Sequence, residues 1–310
     1  MKPACFCLFI SLVSMTAAHA ELFNHLTAEN GTVAYDFSKN PVFGFYTEPP
    51  ANYHAQLTFK QGERNTAAPV LVGTIQTTTN EHYLGNAAFQ IQIVGRNEST
   101  NSAHAAYKAS LDSVGGHDRF TPSVFKTNDW YHSFVMKIDP GYYRLPDEGE
   151  LLFEQWWQGS PFHPPISLVI LNPRDAASRG WADAGTNGNF ALILRDDDHN
   201  ADESFPGPAR YLDLGPVTTG RWLRWMVAVR PSPVETNGSI VVILDGKEKL
   251  KLDQVKIGYD PDNPQYAGHK PSNRFASVNV CLYRLNGQNF QRFYFDELKF
   301  ADRYDDAVTP

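Results

Sequence analysis

Cysteine is nearly absent: the chain has three in 310 residues, and two of them, Cys5 and Cys7, lie in an apolar stretch at the N-terminus. Beyond that stretch only Cys281 remains, so the rest of the chain can form no internal disulfide. A chain of this length buries enough core to fold without one. Cys281, in Ser277-Val278-Asn279-Val280-Cys281-Leu282-Tyr283, reads as a small buried hydrophobe and not as a nucleophile. There is no Gly-x-Ser-x-Gly elbow, which removes the usual serine-hydrolase arrangement, and no Cys/His cluster at zinc spacing. Basic residues are in the minority, 27 Lys and Arg against 34 Asp and Glu, for a formal charge of −7. That makes nucleic acid a poor partner, although an acidic exterior still permits a local basic cleft for an anionic polysaccharide. No apolar run reaches the length of a membrane span. Helical periodicity is scarce, and no repeat, low-complexity tract or dividing linker is evident.

What is present begins with Lys2, an apolar run from Ala4 to Ala18, and the small-x-small sequence Ala18-His19-Ala20. This pattern predicts a secretory signal, residues 1–20, cut before Glu21, and hence an extracellular or periplasmic protein. Its removal takes Lys2 away and moves the formal charge from −7 to −8. Residues 21–310 then read as a single domain, expected to be a monomer with no membrane partner. Asn30, Asn97 and Asn237 each stand in an Asn-x-Ser/Thr tripeptide, a glycosylation acceptor in a eukaryotic host.

Runs of alternating or continuous apolar residues, separated by Gly, Pro, Asn and Asp, predict about a dozen strands. They are 33–37, 55–59, 70–75, 89–94, 105–111, 130–138, 151–157, 166–171, 190–194, 222–229, 240–244, 276–283 and 291–300. Strands without intervening helices indicate an all-β antiparallel sandwich. The loops 172–189, 195–210 and 255–274 are long and rich in turn residues, a common setting for function. Asp196-Asp197-Asp198 and Asp260-Pro261-Asp262-Asn263 offer hard oxygen ligands for a structural Ca²⁺. Neither has the spacing of a known calcium loop, and solvated turn residues are the favoured reading.

The stretch Leu151-Leu152-Phe153-Glu154-Gln155-Trp156-Trp157-Gln158 is aromatic and polar at once. In an extended strand Phe153, Gln155 and Trp157 share one face, and Glu154, Trp156 and Gln158 the other. An amide beside an indole suits a sugar: the ring stacks on a pyranose and the amide bonds its hydroxyl or carboxyl groups. A retaining glycoside hydrolase needs two carboxylates about 5–5.5 Å apart. This strand has only Glu154, and Asp296 and Glu297 are adjacent and so face opposite ways. A β-eliminating lyase needs other parts. A neutral or cationic donor holds the uronate carboxylate and stabilises the enolate-like intermediate, while His or Tyr moves protons at C5 and O4. No cofactor is required.

Trp222–Arg230 followed by Asn237-Gly238, Ser239–Leu244 and Asp245-Gly246-Lys247 resembles the concanavalin-like β-jelly rolls, which implies a sandwich of two antiparallel sheets. Within that group the chain resembles the jelly-roll polysaccharide lyases, a set that includes alginate lyases, heparin lyase I and glucuronan lyases of family twenty. The corresponding pieces are Lys108–Arg119, Glu154–Trp157, Val280–Arg284 and Phe293–Leu298. Trp157 stands where alginate lyases carry the second residue of Gln-x-His, and Ser277 where they carry a tyrosine. The chain is more similar to the glucuronan lyases, which place a His upstream of the Gln and tyrosines downstream.

The resemblance implies a lyase cleaving a polyuronate, β-1,4-glucuronan first. Gln155 holds the carboxylate, His117 assists it or acts as base, and Tyr266 or Tyr259 serves as acid or base. Trp157 is the expected sugar platform, with Lys108, Arg119, Arg274 and His163 as candidate substrate contacts. His132 reads as a structural strand histidine. Alternatives are an alginate or other uronate lyase, and a non-catalytic carbohydrate-binding module of lectin or laminin-G type.

Overall fold

Period-two patterning becomes strands nearly everywhere it occurs. The computed structural model describes residues 22–26, 73–93, 106–115, 123–125, 128–143, 150–159, 162–181, 185–198, 209–266, 268, 270–285 and 291–308. Within them lie β1 (Leu22–Leu26), β2 (Gly73–Thr78), β3 (Ala88–Ile93), β4 (Ala106–Gly115), β5 (Trp130–Tyr143), β6 (Glu150–Trp157) and β7 (Ile166–Leu171). Then come β8 (Asn189–Leu194), β9 (Arg210–Pro216), β10 (Trp222–Arg230), β11 (Gly238–Leu244), β12 (Lys247–Val255), β13 (Ser277–Leu285) and β14 (Gln291–Ala301).

They form two antiparallel sheets. One runs β12-β11-β10-β5-β14-β3-β2, with β1 added to β14; the other runs β4-β13-β6-β7-β8-β9. The expected two-sheet antiparallel jelly roll is the fold observed. Alternate residues of both sheets point between them and make the core. From the larger sheet come Leu223, Trp225, Val227 and Val229 of β10 with Phe134, Met136 and Ile138 of β5. From the smaller come Ile166, Leu168 and Ile170 of β7 with Phe190, Leu192 and Leu194 of β8. Trp225 joins the layers, its ring 5.3 Å from that of Phe153 and 5.0 Å from that of Phe190.

The continuous apolar runs of β7 and β8 have a second cause. The outer face of the smaller sheet carries its own cluster of Leu152, Val169, Leu171, Ala191, Ile193 and Cys281, with Trp181, Tyr211 and Tyr283 packed on it. Strands covered on both faces lose their alternation.

Three strands were not foreseen: β1, β9 and β12. β12 reads Lys-Glu-Lys-Leu-Lys and lies at a sheet edge, where only Leu250, Leu252 and Val255 reach the core and charged residues discourage further pairing. The Asp245-Gly246 turn before it is as expected: both residues have positive φ, 53° and 74°, as a type I′ hairpin requires. The 172–189 loop contains a short helix, Pro173–Ser178, capped by Asn172, whose side chain accepts from the amide of Asp175. The expected strands 33–37 and 55–59 lie outside the described residues.

Candidate active site

β6 is not a simple alternating strand. Its register slips against β7 between Leu152 and Glu154, and against β13 between the same positions. The bulge turns two successive side chains inward. Phe153 packs against Phe134, Phe190 and Trp225, and Glu154 accepts from the Trp156 indole at 2.7 Å and pairs with His132 Nδ1 at 3.0 Å. The expectation that Phe153 shares a face with Gln155 is therefore corrected: it belongs to the inter-sheet core. Past the bulge Glu154 and Trp156 face the core, and Gln155 and Trp157 face outward. His132 is fully buried against Glu154, a structural histidine.

Cross-strand pairing sets Gln155 in a polar row on the outer face. It pairs with Asn279 of β13 and with Ser167 of β7. Paired residues in antiparallel strands lie roughly 4.5–5.5 Å apart. Asp112 takes the next register position beyond Asn279, and Ile193 the next beyond Ser167. The row is recessed: Gln155 is 4% exposed, and Ser167 and Asn279 are fully buried. Asn279 donates to the Ser277 hydroxyl, and its own carbonyl oxygen has no partner. The Gln155 carboxamide makes no side-chain hydrogen bond among the described residues. The Gln155 amide thus keeps its donors and acceptor open at the floor of the recess, while the buried Asn279 oxygen is left unbonded at a cost.

One side of the row is built by the loop 255–274. Gln158, fully buried, donates to the carbonyls of Tyr259 and Ser272 at 2.7 and 2.6 Å and accepts from the Tyr259 amide at 2.9 Å. This clamp holds the loop to the end of β6. Trp157, partly exposed, donates its indole N–H to the Phe162 carbonyl at 2.7 Å. Phe162, Tyr259 and Tyr266 form a small aromatic cluster there.

The structure does not bring Tyr259 or Tyr266 to the face of Gln155. Both rings are buried, at 0% and 2% exposure. Tyr266 donates to Asp197 at 2.6 Å, and burial together with that carboxylate pushes its phenol far above the ordinary value. Both tyrosines are held in the packed cluster that supports this wall. The phenols that share the outer face are Tyr283 and Tyr211. Tyr211 is pushed up to about 12, mainly by burial and by Glu150, to which it donates at 3.0 Å. Tyr283 is also raised by burial, and its hydroxyl has no hydrogen bond among the described residues.

Of the remaining expected residues, His163 is exposed at the rim, between Phe162, which holds the Trp157 indole, and Pro164. Arg274 is partly exposed where Ser123 bridges to it, ahead of β13. Lys108 sits in β4 at the register position of Tyr283. His117 and Arg119 lie outside the described residues; β4 ends at Gly115, opposite Ser277, which in turn pairs with Trp157. The calcium candidates are engaged by protein groups: Asp196 with Arg210, Asp197 with Tyr266, and Asp198 with Lys256. Sequence reasoning missed Asn279, Ser167, Tyr283 and Arg195 as members of this face. Arg195 was hidden because it follows an apolar run and precedes three aspartates, so it reads as loop.

A family model described as polysaccharide lyase matches residues 53–299. The chain belongs to this family. No curated protein matches the lyase sequence. Among solved structures, it resembles an endo-β-1,4-glucuronan lyase from the fungus Trichoderma reesei, at 14% identity and a TM-score of 0.52 over 76% of this chain and 89% of that one. It also aligns with alginate lyase Aly36B, at 10% identity and a TM-score of 0.44 over 89% and 95% of the two chains. A third is the PL-14 alginate lyase from Aplysia kurodai, at 13% identity and a TM-score of 0.40 over 76% and 87%. At such identities the likeness concerns the fold, and the fold argument rests on the glucuronan lyase. The lyase thus carries on its smaller sheet a recessed face with the carboxamides of Gln155 and Asn279, the Ser167 hydroxyl and Arg195, flanked by the Trp157 indole. Such a face can hold a sugar acid.

Proposed function

We propose that this polysaccharide lyase acts on a polyuronate, glucuronan before alginate, by β-elimination, and that it is exported by its N-terminal leader. The observation that carries the reading is the Gln155 carboxamide, recessed and unbonded on the outer face. A uronate carboxylate laid against Gln155 and Asn279 accepts from their N–H groups. Its charge is then spread over donors that need no reorganisation as the C5 carbanion develops. A base removes the C5 proton, the electron pair forms the C4–C5 double bond, the C4–O4 bond breaks, and O4 leaves with a proton.

His117 is the proposed base or its assistant. Trp157 forms the platform for a neighbouring ring, and His163, Arg274, Lys108 and Arg119 are proposed polymer contacts. The glucuronan preference follows the Trichoderma reesei neighbour and the departure of Trp157 and Ser277 from the alginate-lyase pattern.

The test is a panel of glucuronan, alginate, ulvan and heparin, read by the ultraviolet absorbance of the unsaturated product. Absorbance should rise on glucuronan, and Gln155→Ala should lower kcat by about 10²–10³-fold, the usual loss of one preorganised donor. No absorbance on any polymer, with binding retained, would instead favour the carbohydrate-binding module.

A further inference from the structure

Arg195 is 5% exposed, the most buried lysine or arginine among the described residues. The other largely buried cations there each face a carboxylate: Arg210 faces Asp196 at 3.0 Å, Lys137 faces Glu81 at 2.6 Å, Arg292 faces Asp139 at 3.4 Å and Lys299 faces Glu297 at 3.9 Å. Arg195 has no such partner. Its Nη1 donates to the Pro164 carbonyl at 2.9 Å and lies 3.4 Å from the Ser167 hydroxyl, and its buried Nε has no partner. Glu150 is the carboxylate that feels its field most, and that field opposes the effect of burial on Glu150, but no contact within ion-pair distance joins the two, and Glu150 accepts from Tyr211. A desolvated guanidinium with no carboxylate in direct contact leaves donors open, and five donors in a fork suit a carboxylate.

Its position says which anion fits. Ser167 is the cross-strand neighbour of Gln155, so the guanidinium beside Ser167 lies about one strand spacing from the Gln155 amide. Pro164 and Phe162 are anchored by Arg195 and Trp157 respectively, so cation, amide and indole border one recess.

We propose that Arg195 is the substrate-binding cation of this site: the carboxylate that its open donors take in direct contact is that of a uronate residue held beside Gln155. The proposal rests on the polyuronate reading given above, and it adds a charged contact from the end of β8 that pairs with the acid itself. The arginine then selects acidic over neutral sugars, which the two carboxamides alone would do weakly.

The experiment measures binding of a glucuronate oligosaccharide and of its carboxyl-reduced, neutral counterpart by calorimetry, to the full chain and to Arg195→Gln and Arg195→Lys. Truncating one side of a buried charge pair is costly, so Arg195→Gln should weaken the acidic ligand by at least ~30-fold and leave the neutral one unchanged. Arg195→Lys, which keeps charge but loses the fork, should fall between. Equal binding of acidic and neutral ligands by the wild type, or wild-type affinity in a folded Arg195→Gln, would overturn the assignment. If Arg195→Gln does not fold, the lysine variant decides, and unchanged affinity there would overturn it too. The two readings fail separately. A wild type that binds the acid through Arg195 but forms no unsaturated product sinks the lyase reading on this polymer alone. A wild type that cleaves while Arg195→Gln keeps its KM and kcat sinks only the role of Arg195.

Discussion

Gln155 and Asn279 are uncharged, and this matters for what they can do. A carboxamide donates two N–H groups to a carboxylate without carrying a charge that burial would penalise. It also distinguishes a functional amide from one that merely packs. If Gln155 holds a carboxylate, Gln155→Glu should be worse than Gln155→Ala, because it sets a second anion against the first. Steady-state kinetics on the preferred polymer should show kcat/KM lower for the glutamate variant by a further factor of ten or so, equivalent to about 1.4 kcal/mol. Equal losses in the two variants would mean that Gln155 acts only through packing. The outward place of Trp157 was legible two residues on, and its indole N–H is tied to the Phe162 carbonyl.

At the scale of the element, β6 does two jobs because it is bulged. The slip at Phe153 and Glu154 lets three consecutive side chains, from Phe153 to Gln155, divide two inward and one outward. The inward Glu154 ties the two sheets through His132 of β5 and is bonded by Trp156 of its own strand. Its second carboxylate oxygen is buried and unbonded, so the pair is sensitive to any loss. Removing one partner of a buried pair typically costs 3–5 kcal/mol. Glu154→Ala should therefore lower the unfolding free energy by roughly that amount, measured by denaturant titration. Glu154→Gln, which still accepts from the indole, should cost less. The catalytic rate of the folded fraction should change little in either variant, since Glu154 points away from Gln155. A fall in kcat without a fall in stability would contradict the assignment of Glu154 to packing.

Across the whole molecule the outer face of the smaller sheet divides into two regions. One end is closed by Trp181, Tyr211 and Tyr283 over an apolar cluster; the other holds Asn279, Gln155, Ser167 and Arg195 beside Trp157. Glu150 lies under the closed end, and burial, opposed by Arg195 and Tyr211, raises its pKa above the ordinary 4.5. A carboxyl raised on folding favours the folded chain while it is protonated. That contribution is complete below the unfolded value and is lost as pH rises through the folded value. At neutral pH the charged Glu150 is thus a net cost to stability. Glu150→Gln, which can still accept from Tyr211, should raise the melting temperature at neutral pH, and the gain should vanish below about pH 4.5. A gain that persists unchanged into acid would show that the charge is not its cause.

The amino-acid sequence by itself determined the fold class, because alternation and turn residues are local and a sandwich is what alternating strands without helices can build. It also determined that Gln155 and Trp157 share a face, that Glu154 and Trp156 pack, and that Cys281 is buried. Two kinds of feature were out of its reach. Strands whose stability comes from neighbours carry no pattern of their own, as in the charged edge strand β12 and in β9. A bulge adds one residue to the count without any mark in composition, which is why Phe153 was assigned to the wrong side. Only the tertiary structure decided which distant residues meet. Asn279, Ser167 and Arg195 come from three separate strand regions, up to 124 positions from Gln155 along the chain, and cross-strand register sets them beside it. Tertiary packing also decided that Tyr259 and Tyr266 are buried, because burial is a property of what surrounds a side chain and not of the side chain itself.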